Sequence, residues 1–440
     1  MICGKKAALL LLLLLGLTGC FEESPQFEQT SSEIAREILS DENDPQPEES
    51  NNGSEETEAP PVEEEPSAEE EPSVEETPEV VNDCDNLGEP GTVIDVKQNA
   101  VPELVHSLAV DPKQHGVLYI GTHFEGLWKS EDCGAHWQKL TGNEHINSGK
   151  VWGLAIDHTA SSTIYASIGE VGAINPLYKS ENGGENWKVA WPPEGEEEYW
   201  SLRATGFLYS NNITIDPDNS QHLVLTFHNE CNKSVTRSYM CFAESFDGGD
   251  SWRLVDGKAN WPGSGNYISN QIHILDDDTW VLTTYGYSNS LGVQLMQGMA
   301  KYPDEDYTAT KIPGLDGIHY QGSQLLHSSI SNTYFLPTHN GIAKSVSGAA
   351  NDWQIIPDTG AVVAGIIETG DGTLYSSHPM FPNYFDNPGL IKSTNLGQSW
   401  QSVNLSPYND LTMGAHLGYD PEHKLLYINT ENRLLRIKIE

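Results

Sequence analysis

Short apolar runs separated by polar, glycine-rich turns continue through residues 84–440 of the chain. Runs of this length that are rich in Val, Ile and Leu favour β-strands. We assign seven of them to the innermost strands of repeated units: Val105–Val110, Trp152–Ile156, Ile213–Ile215, Gln271–Leu275, Gln324–Leu326, Val362–Ile367 and Ala415–Tyr419. The hydrophobic pattern therefore predicts an all-β domain made of seven similar units.

One turn sequence, Ser-x-Asp/Asn-x-Gly-x-x-Trp, occurs four times and follows an apolar run each time. The copies begin at Ser130, Ser180, Ser245 and Ser393. In such a turn Asp or Asn bonds the local backbone, Gly takes a positive φ, and Trp packs beneath the turn. A degraded copy, Ser345-x-Ser347-Gly348 followed by Trp353, is one residue too long. Repeats of roughly 40 to 50 residues with several short strands are typical of a β-propeller.

The repeated turn resembles the Asp-box, or BNR repeat, of sialidase-type, sortilin-type and xyloglucanase-type propellers. The resemblance implies that each turn joins the two outer strands of a blade, and it covers residues 84–440 as architecture. We therefore expect a single seven-bladed β-propeller. The last blade has strands near Leu425–Ile428 and Leu434–Ile439 and lacks an outer strand, so Thr92–Val96 is expected to complete it and close the ring.

Residues 1–19 are interpreted as a lipoprotein signal peptide. Lys5 and Lys6 precede an apolar run that is too short to span a membrane as a helix. The run ends in Leu17-Thr18-Gly19-Cys20, which resembles the bacterial lipobox, and this resemblance implies cleavage before Cys20 and acylation of that cysteine. Phe21 in place of Asp resembles outer-membrane sorting. The predicted location is the outer membrane, with the protein anchored by its N-terminal lipid and facing the periplasm or the cell surface.

The formal net charge is −41, and about half of it lies in residues 20–83, which are dominated by Glu, Pro, Ser and Thr. Such a segment cannot bury enough apolar surface to fold, and its like charges hold it extended. We interpret it as an acidic, disordered tether between the lipid and the propeller. The excess of negative charge repels nucleic acid and argues against it as a partner. A monomer that binds a carbohydrate or an envelope protein is the expectation.

Four cysteines remain after the signal peptide and the lipid site, and they allow three pairings. The blade arrangement favours Cys231–Cys241, which bracket a long hairpin loop. It also favours Cys84–Cys133, because Cys84 lies beside the closing strand and Cys133 lies in the first repeated turn. A zinc site is the alternative, although the sequence contains no Cys-x-x-Cys pair.

Ligands of propellers usually bind in the funnel where loops from all blades converge, here the loops that follow each second strand. Aligning these loops gives a ring of seven equivalent positions: His123, Gly169, His228, Tyr285, His339, His378 and Glu431. His378 fits this alignment only with a shift of one residue. His106, Trp152, His319, Tyr320 and His416 lie near the starts of inner strands at the same mouth. Converging imidazoles could supply acid–base groups or bind a divalent transition metal, with His339 and His378 the best adjacent pair. Alternatively, each histidine could form hydrogen bonds with the backbone of the polar loops in the funnel.

Two classes of function stay open. One is a binding module whose mouth holds a carbohydrate or a protein through Trp152, Tyr199, Trp200, Arg203 and Tyr320. The other is a glycoside hydrolase or polysaccharide lyase, with catalytic candidates His123, His228, Tyr285, His339, His378 and Glu431. Sialidase activity is not expected, because the chain lacks the Arg-Ile-Pro segment of that family. The photosystem II assembly factors that it also resembles present a basic patch, which this acidic chain lacks.

Overall fold

A computed structural model describes residues 83–97, 101, 104–169, 175–193, 210–227, 241–256, 269–285, 293–315, 324–338, 340–357, 359, 365–378, 389–408, 416–430 and 433–440. Contacts divide the chain into two units, 1–75 and 76–440, and all described residues belong to the second unit. No helix within these ranges is both long and apolar enough to cross a membrane.

The second unit is a seven-bladed β-propeller, and each blade is a four-stranded antiparallel sheet. Blades 1 to 3 contain β2 Val105–Val110, β3 Leu118–Thr122, β4 Leu127–Ser130 and β5 Gln138–Lys139; β6 Lys150–Ile156, β7 Ile164–Gly169, β8 Leu177–Ser180 and β9 Lys188–Trp191; β10 Ser210–Ile215, β11 Leu223–Phe227, β12 Cys241–Ser245 and β13 Arg253–Asp256. Within the described ranges, two short helical segments lie outside the sheets, helix α1 at Glu144–Ser148 and a 3-10 turn at Met299–Lys301.

Blades 4 to 7 follow the same plan. They contain β14 Ser269–Ile274, β15 Thr279–Tyr285, β16 Gln294–Gln297 and β17 Thr308–Lys311; β18 Leu326–Ser328, β19 Thr333–Thr338, β20 Gly341–Ser345 and β21 Gln354–Ile355; β22 Gly365–Glu368, β23 Leu374–His378, β24 Gly389–Ser393 and β25 Gln401–Val403; β26 Leu417–Asp420, β27 Leu425–Asn429, β28 Leu434–Lys438 and β1 Val93–Asp95. All seven predicted inner strands are present, with bounds shifted by up to three residues. The prediction of seven blades is confirmed.

The closing strand is also confirmed, because β1 pairs with β28 as the outermost strand of blade 7. Its register sets Ile94 opposite Arg436, and the backbone N–H of Val96 donates to the carbonyl of Leu434. The first and last parts of the domain therefore share one sheet, which removes an unpaired edge from the end of the ring.

The hydrophobic core lies between blades rather than within them. Val224 and Phe242 of blade 3 pack with Trp280 and Met296 of blade 4 in one buried cluster. Each sheet packs both faces against its neighbours, so second strands such as β3, β7, β11 and β27 are buried along their whole length. A single blade has no core of its own and depends on the closed ring.

The four repeated turns share one hydrogen-bond pattern, which explains the residue types in the motif. In the first, the hydroxyl of Ser130 donates to Asp132 at 2.9 Å, and the N–H groups of Gly134 and His136 donate to Ser130 Oγ and Asp132 Oδ1. The indole N–H of Trp137 donates to the carbonyl of Val96 at 2.9 Å. In the other three turns the indole bonds the Gly of its own turn. The first turn thus supports the closing segment.

Tyrosines link several neighbouring blades. The hydroxyls of Tyr119, Tyr165 and Tyr427 donate to the carbonyls of Gly183, Gly248 and Cys133, at 3.2, 2.8 and 3.3 Å. Each acceptor lies in the repeated turn of the next blade, so the bonds connect blade 1 to 2, blade 2 to 3 and blade 7 to 1. These four blades form the half of the ring that carries the site described next.

Candidate functional site

The two faces of the ring carry different connections. Turns from the first to the second strand and from the third to the fourth strand of each blade lie on one face, here called the lower face. Connections from the second to the third strand, and from one blade to the next, lie on the opposite, upper face. The predicted funnel positions belong to the upper face.

Most of the predicted funnel residues lie outside the described part of the chain. These are His228, His339, Glu431, Tyr199, Trp200, Arg203, His319 and Tyr320. Tyr285 and His378 are the last residues of β15 and β23, at the upper ends of those strands, but their side chains are outside the description. The structure describes the side chains of His106, His123, Trp152 and His416. The catalytic, metal and remaining binding assignments therefore stay predictions.

Three neighbouring inner strands contain a β-bulge near their upper ends. The register with the second strand skips His106 in β2 and Trp152 in β6, and it shifts between Ser210 and Ile213 in β10. A bulge leaves one residue unpaired and turns its side chain out of the regular alternation. In blades 1 and 2 this places an imidazole and an indole at the mouth of the ring.

His106 is the centre of a contiguous cluster at the upper mouth. Its ring centroid lies 5.0 Å from that of Trp152 and 6.0 Å from that of His123, edge-on in both cases. The Lys150 ammonium lies 4.0 Å above the Trp152 ring, a cation–π distance. His123 stacks on Phe124 at 4.3 Å, and Phe124 is 55% exposed. Two blades thus present an aromatic and imidazole surface with one buried ammonium.

Blade 7 adds a second half-buried imidazole beside this cluster. The backbone N–H of His416 donates to Asn429 Oδ1 at 2.7 Å, and Asn429 Nδ2 donates to the carbonyl of Val105 at 3.3 Å. The Asn429 amide therefore ties the start of the blade 7 inner strand to that of blade 1. His416 lines the upper part of the central channel.

Both imidazoles are held in the neutral form. Burial away from water lowers the pKa of His106 to about 3, and the ammonium of Lys150 and the rings of His416 and His123 add to the effect. Burial alone lowers the pKa of His416 to about 4. A neutral imidazole both donates and accepts a hydrogen bond, so at neutral pH these rings can pair with hydroxyl or amide groups.

The alignment of funnel loops placed Gly169 where blade 1 has His123, and the structure explains why blade 2 has a glycine at this position. A Cβ on Gly169 would lie 2.0 Å from Nε1 of Trp152, so the indole occupies the space that a side chain there would need. Lys150 was missed by the sequence analysis. It is the first residue of β6 and lies opposite Gly169. Its position at the upper end of an inner strand could have identified it as a residue of the mouth.

The seven inner strands surround a central channel of about 830 Å³. Gln271, Gln324 and His416 line it towards the upper face, and Leu154, Ile213, Leu325 and Ile366 are among the apolar residues below. Oε1 of Gln271 is buried and has no hydrogen-bond partner among the described residues. The upper end of the channel therefore has a more polar lining than the part below it.

A metal bound by the described mouth histidines is not favoured. Only one group of three potential ligand residues within the described ranges brings its ligand atoms within 4.8 Å, and it consists of Cys84, Cys133 and His423 on the lower face. Cys84 and Cys133 form the predicted disulfide. Cys241 is also disulfide-bonded. Its partner lies outside the described residues, so pairing with Cys231 stays a prediction.

Comparison with known proteins gives partial sequence similarity to xyloglucanases. No protein-family model matches the chain. A xyloglucanase from a Paenibacillus species is 28% identical over 177 residues, which is 35% of this chain and 14% of that enzyme. The oligoxyloglucan-reducing end-specific xyloglucanase of Emericella nidulans is 31% identical over 96 residues, 21% of this chain and 11% of that enzyme. The chain thus spans a small part of the length of these relatives.

Solved structures agree with the fold. YCF48 bound to D1 peptide superposes with a TM-score of 0.51 at 10% identity, covering 80% of this chain and 96% of that one. A streptogramin B lyase gives 0.53 at 12% identity, with coverage of 80% and 98%. PorZ, a surface component of the type-IX secretion system of Porphyromonas gingivalis, gives 0.53 at 13% identity, with coverage of 76% and 46%. The chain is a seven-bladed β-propeller with partial sequence similarity to xyloglucanases.

Proposed function

We propose that this chain is a ligand-binding propeller of the cell envelope and that its upper mouth binds a carbohydrate. The observation that carries the proposal is the contiguous surface of Phe124, His123, His106 and Trp152. The C–H faces of sugar rings pack on aromatic side chains, and their hydroxyls pair with neutral imidazoles and amides. Partial similarity to two xyloglucanases supports a glycan as the ligand.

Trp152→Ala is expected to weaken glycan binding at least tenfold, because it removes the largest ring of the mouth cluster and the support of His106. Calorimetric titration of xyloglucan oligosaccharides, and of hits from a glycan array, measures the effect. Gly169→Ala is a second variant that keeps the indole but displaces it, since the new Cβ would overlap Nε1. It should weaken binding to a similar extent.

His327→Ala provides the control, because His327 is an exposed histidine that lines the lower end of the same channel. Its affinity should match that of the unaltered protein. Equal affinity in Trp152→Ala, Gly169→Ala and the unaltered protein would place the glycan elsewhere. A protein ligand would be favoured if no glycan binds and if the chain captures a peptide or envelope protein only when Trp152 is present. The propeller solved with a D1 peptide is an example of such binding.

A glycan-active enzyme is the second candidate, favoured by the partial sequence similarity to two xyloglucanases. The neutral His106 imidazole would position a sugar hydroxyl through a hydrogen bond, because a pKa lowered to about 3 makes it a weak base. Release of reducing ends from the glycans that bind would identify a hydrolase, and new absorbance from an unsaturated sugar would identify a lyase. His106→Asn should then abolish turnover while retaining binding, whereas Trp152→Ala should lose both.

We further propose that Cys20 carries the lipid anchor of the propeller. Cys84, at the beginning of the described chain, is bonded to Cys133 in the turn between β4 and β5. That turn lies on the lower face, so the first described residues of the propeller lie on the face opposite the mouth. The outer membrane, with the mouth directed towards periplasm or medium, is the proposed location.

Cys20→Ser is expected to move the protein from the membrane fraction to the soluble fraction, because a lipid chain on that residue is the proposed membrane attachment. Cell fractionation followed by immunoblotting, with metabolic labelling by a fatty acid, measures the change. Cys241→Ser is the matched control and should remain labelled and membrane-bound. Unchanged sedimentation of Cys20→Ser with membranes would contradict the proposed anchor.

A further inference from the structure

The seam where the ring closes carries a cluster of sulfur and imidazole groups on the lower face. Cys133 lies in the turn between β4 and β5, His115 between β2 and β3, and His423 between β26 and β27. One ligand atom each of Cys84, Cys133 and His423 lie within 4.8 Å of one another. In the structure both sulfurs belong to the Cys84–Cys133 disulfide.

A single buried carboxylate orients the two histidines of this cluster. Nδ1 of His423 lies 2.8 Å from Oδ2 of Asp420, and Nδ1 of His115 lies 3.2 Å from Oδ1 of the same residue. Hydrogen bonds from both Nδ1 atoms to a carboxylate fix the tautomer that leaves Nε2 with a free lone pair. This carboxylate–histidine pairing is the arrangement that supports histidine ligands around zinc.

The backbone leaves room for the sulfurs next to these histidines. Gly116 has a φ of +82°, and a Cβ built on it would lie 2.7 Å from Sγ of Cys84 and 3.3 Å from Sγ of Cys133. Its N–H donates to Asp420 Oδ2 at 2.7 Å, which holds the loop that carries His115 against the carboxylate. The rings of His115 and His423 are 6.5 Å apart.

We propose that reduction of the Cys84–Cys133 disulfide converts this cluster into a binding site for a soft divalent transition metal such as Zn²⁺. The ligands would be the two thiolates and Nε2 of His423, and Nε2 of His115, which lies outside the 4.8 Å group, would become the fourth after its ring moves towards the metal. Two thiolates and two imidazoles suit tetrahedral zinc, with metal–sulfur distances of about 2.3 Å and metal–nitrogen distances of about 2.0–2.1 Å. The site lies outside the upper mouth and is independent of the function proposed for it.

The chemistry of the conversion balances with an envelope dithiol as the reductant. The dithiol is oxidised to its own disulfide, and its two electrons and two protons convert the Cys84–Cys133 bond into two thiols. Each thiol releases its proton on binding the metal. The sulfurs then move apart to about 3.8 Å, the spacing of two ligands in a tetrahedron. The seam would thus be held by a covalent bond in oxidising conditions and by a metal after reduction.

The test uses the full chain carrying Cys231→Ser and Cys241→Ser, which removes the other cysteines of the propeller as competing thiols. After reduction and removal of the reductant without oxygen, Co²⁺ is titrated and then displaced by Zn²⁺. We expect one equivalent to give the visible bands of tetrahedral cobalt and sulfur-to-cobalt charge transfer. The oxidised protein should give neither. Equal bands from the oxidised protein, or no bands after reduction, would overturn the proposal.

Single variants in the same background separate this site from unspecific binding by thiols. Cys84→Ser and Cys133→Ser each leave one thiolate and should at least halve the charge-transfer absorbance, and His423→Ala should weaken cobalt binding at least tenfold. His136→Ala is the matched control, since this exposed histidine lies in the same turn as Cys133. It should change nothing. Circular dichroism of each reduced variant verifies that the propeller is folded. Unchanged affinity in folded His423→Ala would show that thiols alone hold the metal and would overturn the proposed ligand set.

Discussion

Replacing His222 by alanine is expected to lower the free energy of unfolding by about 3 kcal/mol. His222 is 5% exposed, and its ring joins two buried carboxylates. Nδ1 lies 2.7 Å from Asp216 and Nε2 lies 3.0 Å from Glu244. Without the imidazole, the described partners that remain are a backbone N–H group for Asp216 and the guanidinium of Arg253 for Glu244. Urea denaturation at pH 6 measures the loss.

The neighbours of His222 favour its charged form and connect two blades. Phe246 stacks on one side of the imidazole at 4.8 Å, and Trp280 of blade 4 lies 5.6 Å away at a tilt. Arg253 donates to Glu244 at 2.5 and 2.7 Å, and it also donates to the carbonyl of Tyr302 in blade 4 at 3.0 Å. With His222 protonated, two cations balance two carboxylates within blade 3, on the side that packs against blade 4.

The stability that His222 contributes is expected to depend on pH. Burial opposes the charge, but the hydrogen bonds to Glu244 and Asp216 outweigh it, so the pKa of His222 is raised above 6.5. The folded state therefore holds the proton more tightly than the unfolded state. This stabilisation is complete below pH 6.5 and is lost as the pH rises through the folded pKa. The pKa values of His106 and His416 are lowered, so the stability linked to these two histidines has the opposite pH dependence and is lost as the pH falls.

Comparing urea midpoints at pH 6 and pH 9 separates this contribution from the others. The unaltered protein should lose stability over that interval, and His222→Ala should lose less. His136→Ala is the control, because His136 pairs with Asp132 but is 71% exposed. A surface pair of this kind contributes about 0–1 kcal/mol. A loss in His222→Ala no larger than in His136→Ala would contradict the buried charge network.

The blade architecture could be predicted because it depends on local sequence. The Ser, the Asp or Asn and the Gly of each repeated turn form hydrogen bonds with residues a few positions away. Apolar runs of strand length flank each turn. The closing strand and the Cys84–Cys133 pair followed from the same count of strands. The degraded fifth turn shows the limit. There Asp352 bonds Ser345 Oγ at 2.8 Å and replaces the missing acidic residue from the far end of the turn.

The candidate site was only partly predictable, because its residues are placed by pairing between strands. His106 and Trp152 project at the mouth as bulge residues, and a bulge is defined by the register with the next strand. No local pattern distinguishes a bulged residue from a paired one. The fit of the Trp152 indole into the space beside Gly169 likewise depends on contact between two strands. The His222 network was not predicted, because its charges come from one turn and two strands that meet only when blade 3 is folded.

Removal of the Cys84–Cys133 disulfide is expected to lower the free energy of unfolding by roughly 4 kcal/mol, because the bond closes a long loop in the unfolded chain. The two cysteines are 49 residues apart in the sequence. Cys84→Ser, compared with the oxidised unaltered protein in a chelating buffer, measures the loss in urea. The chelator prevents any metal from replacing the bond.

The location of the disulfide predicts where the ring should open first. β1 has only three residues paired with β28, and the contact of Trp137 with Val96 supports it from blade 1. Without the disulfide, native-state hydrogen exchange should accelerate at the amides of Val93–Asp95 and Leu434–Lys438. Amides of β11, in blade 3, should keep their protection until global unfolding. Equal acceleration at β11 and β1 would show that the disulfide stabilises the whole ring uniformly rather than its seam.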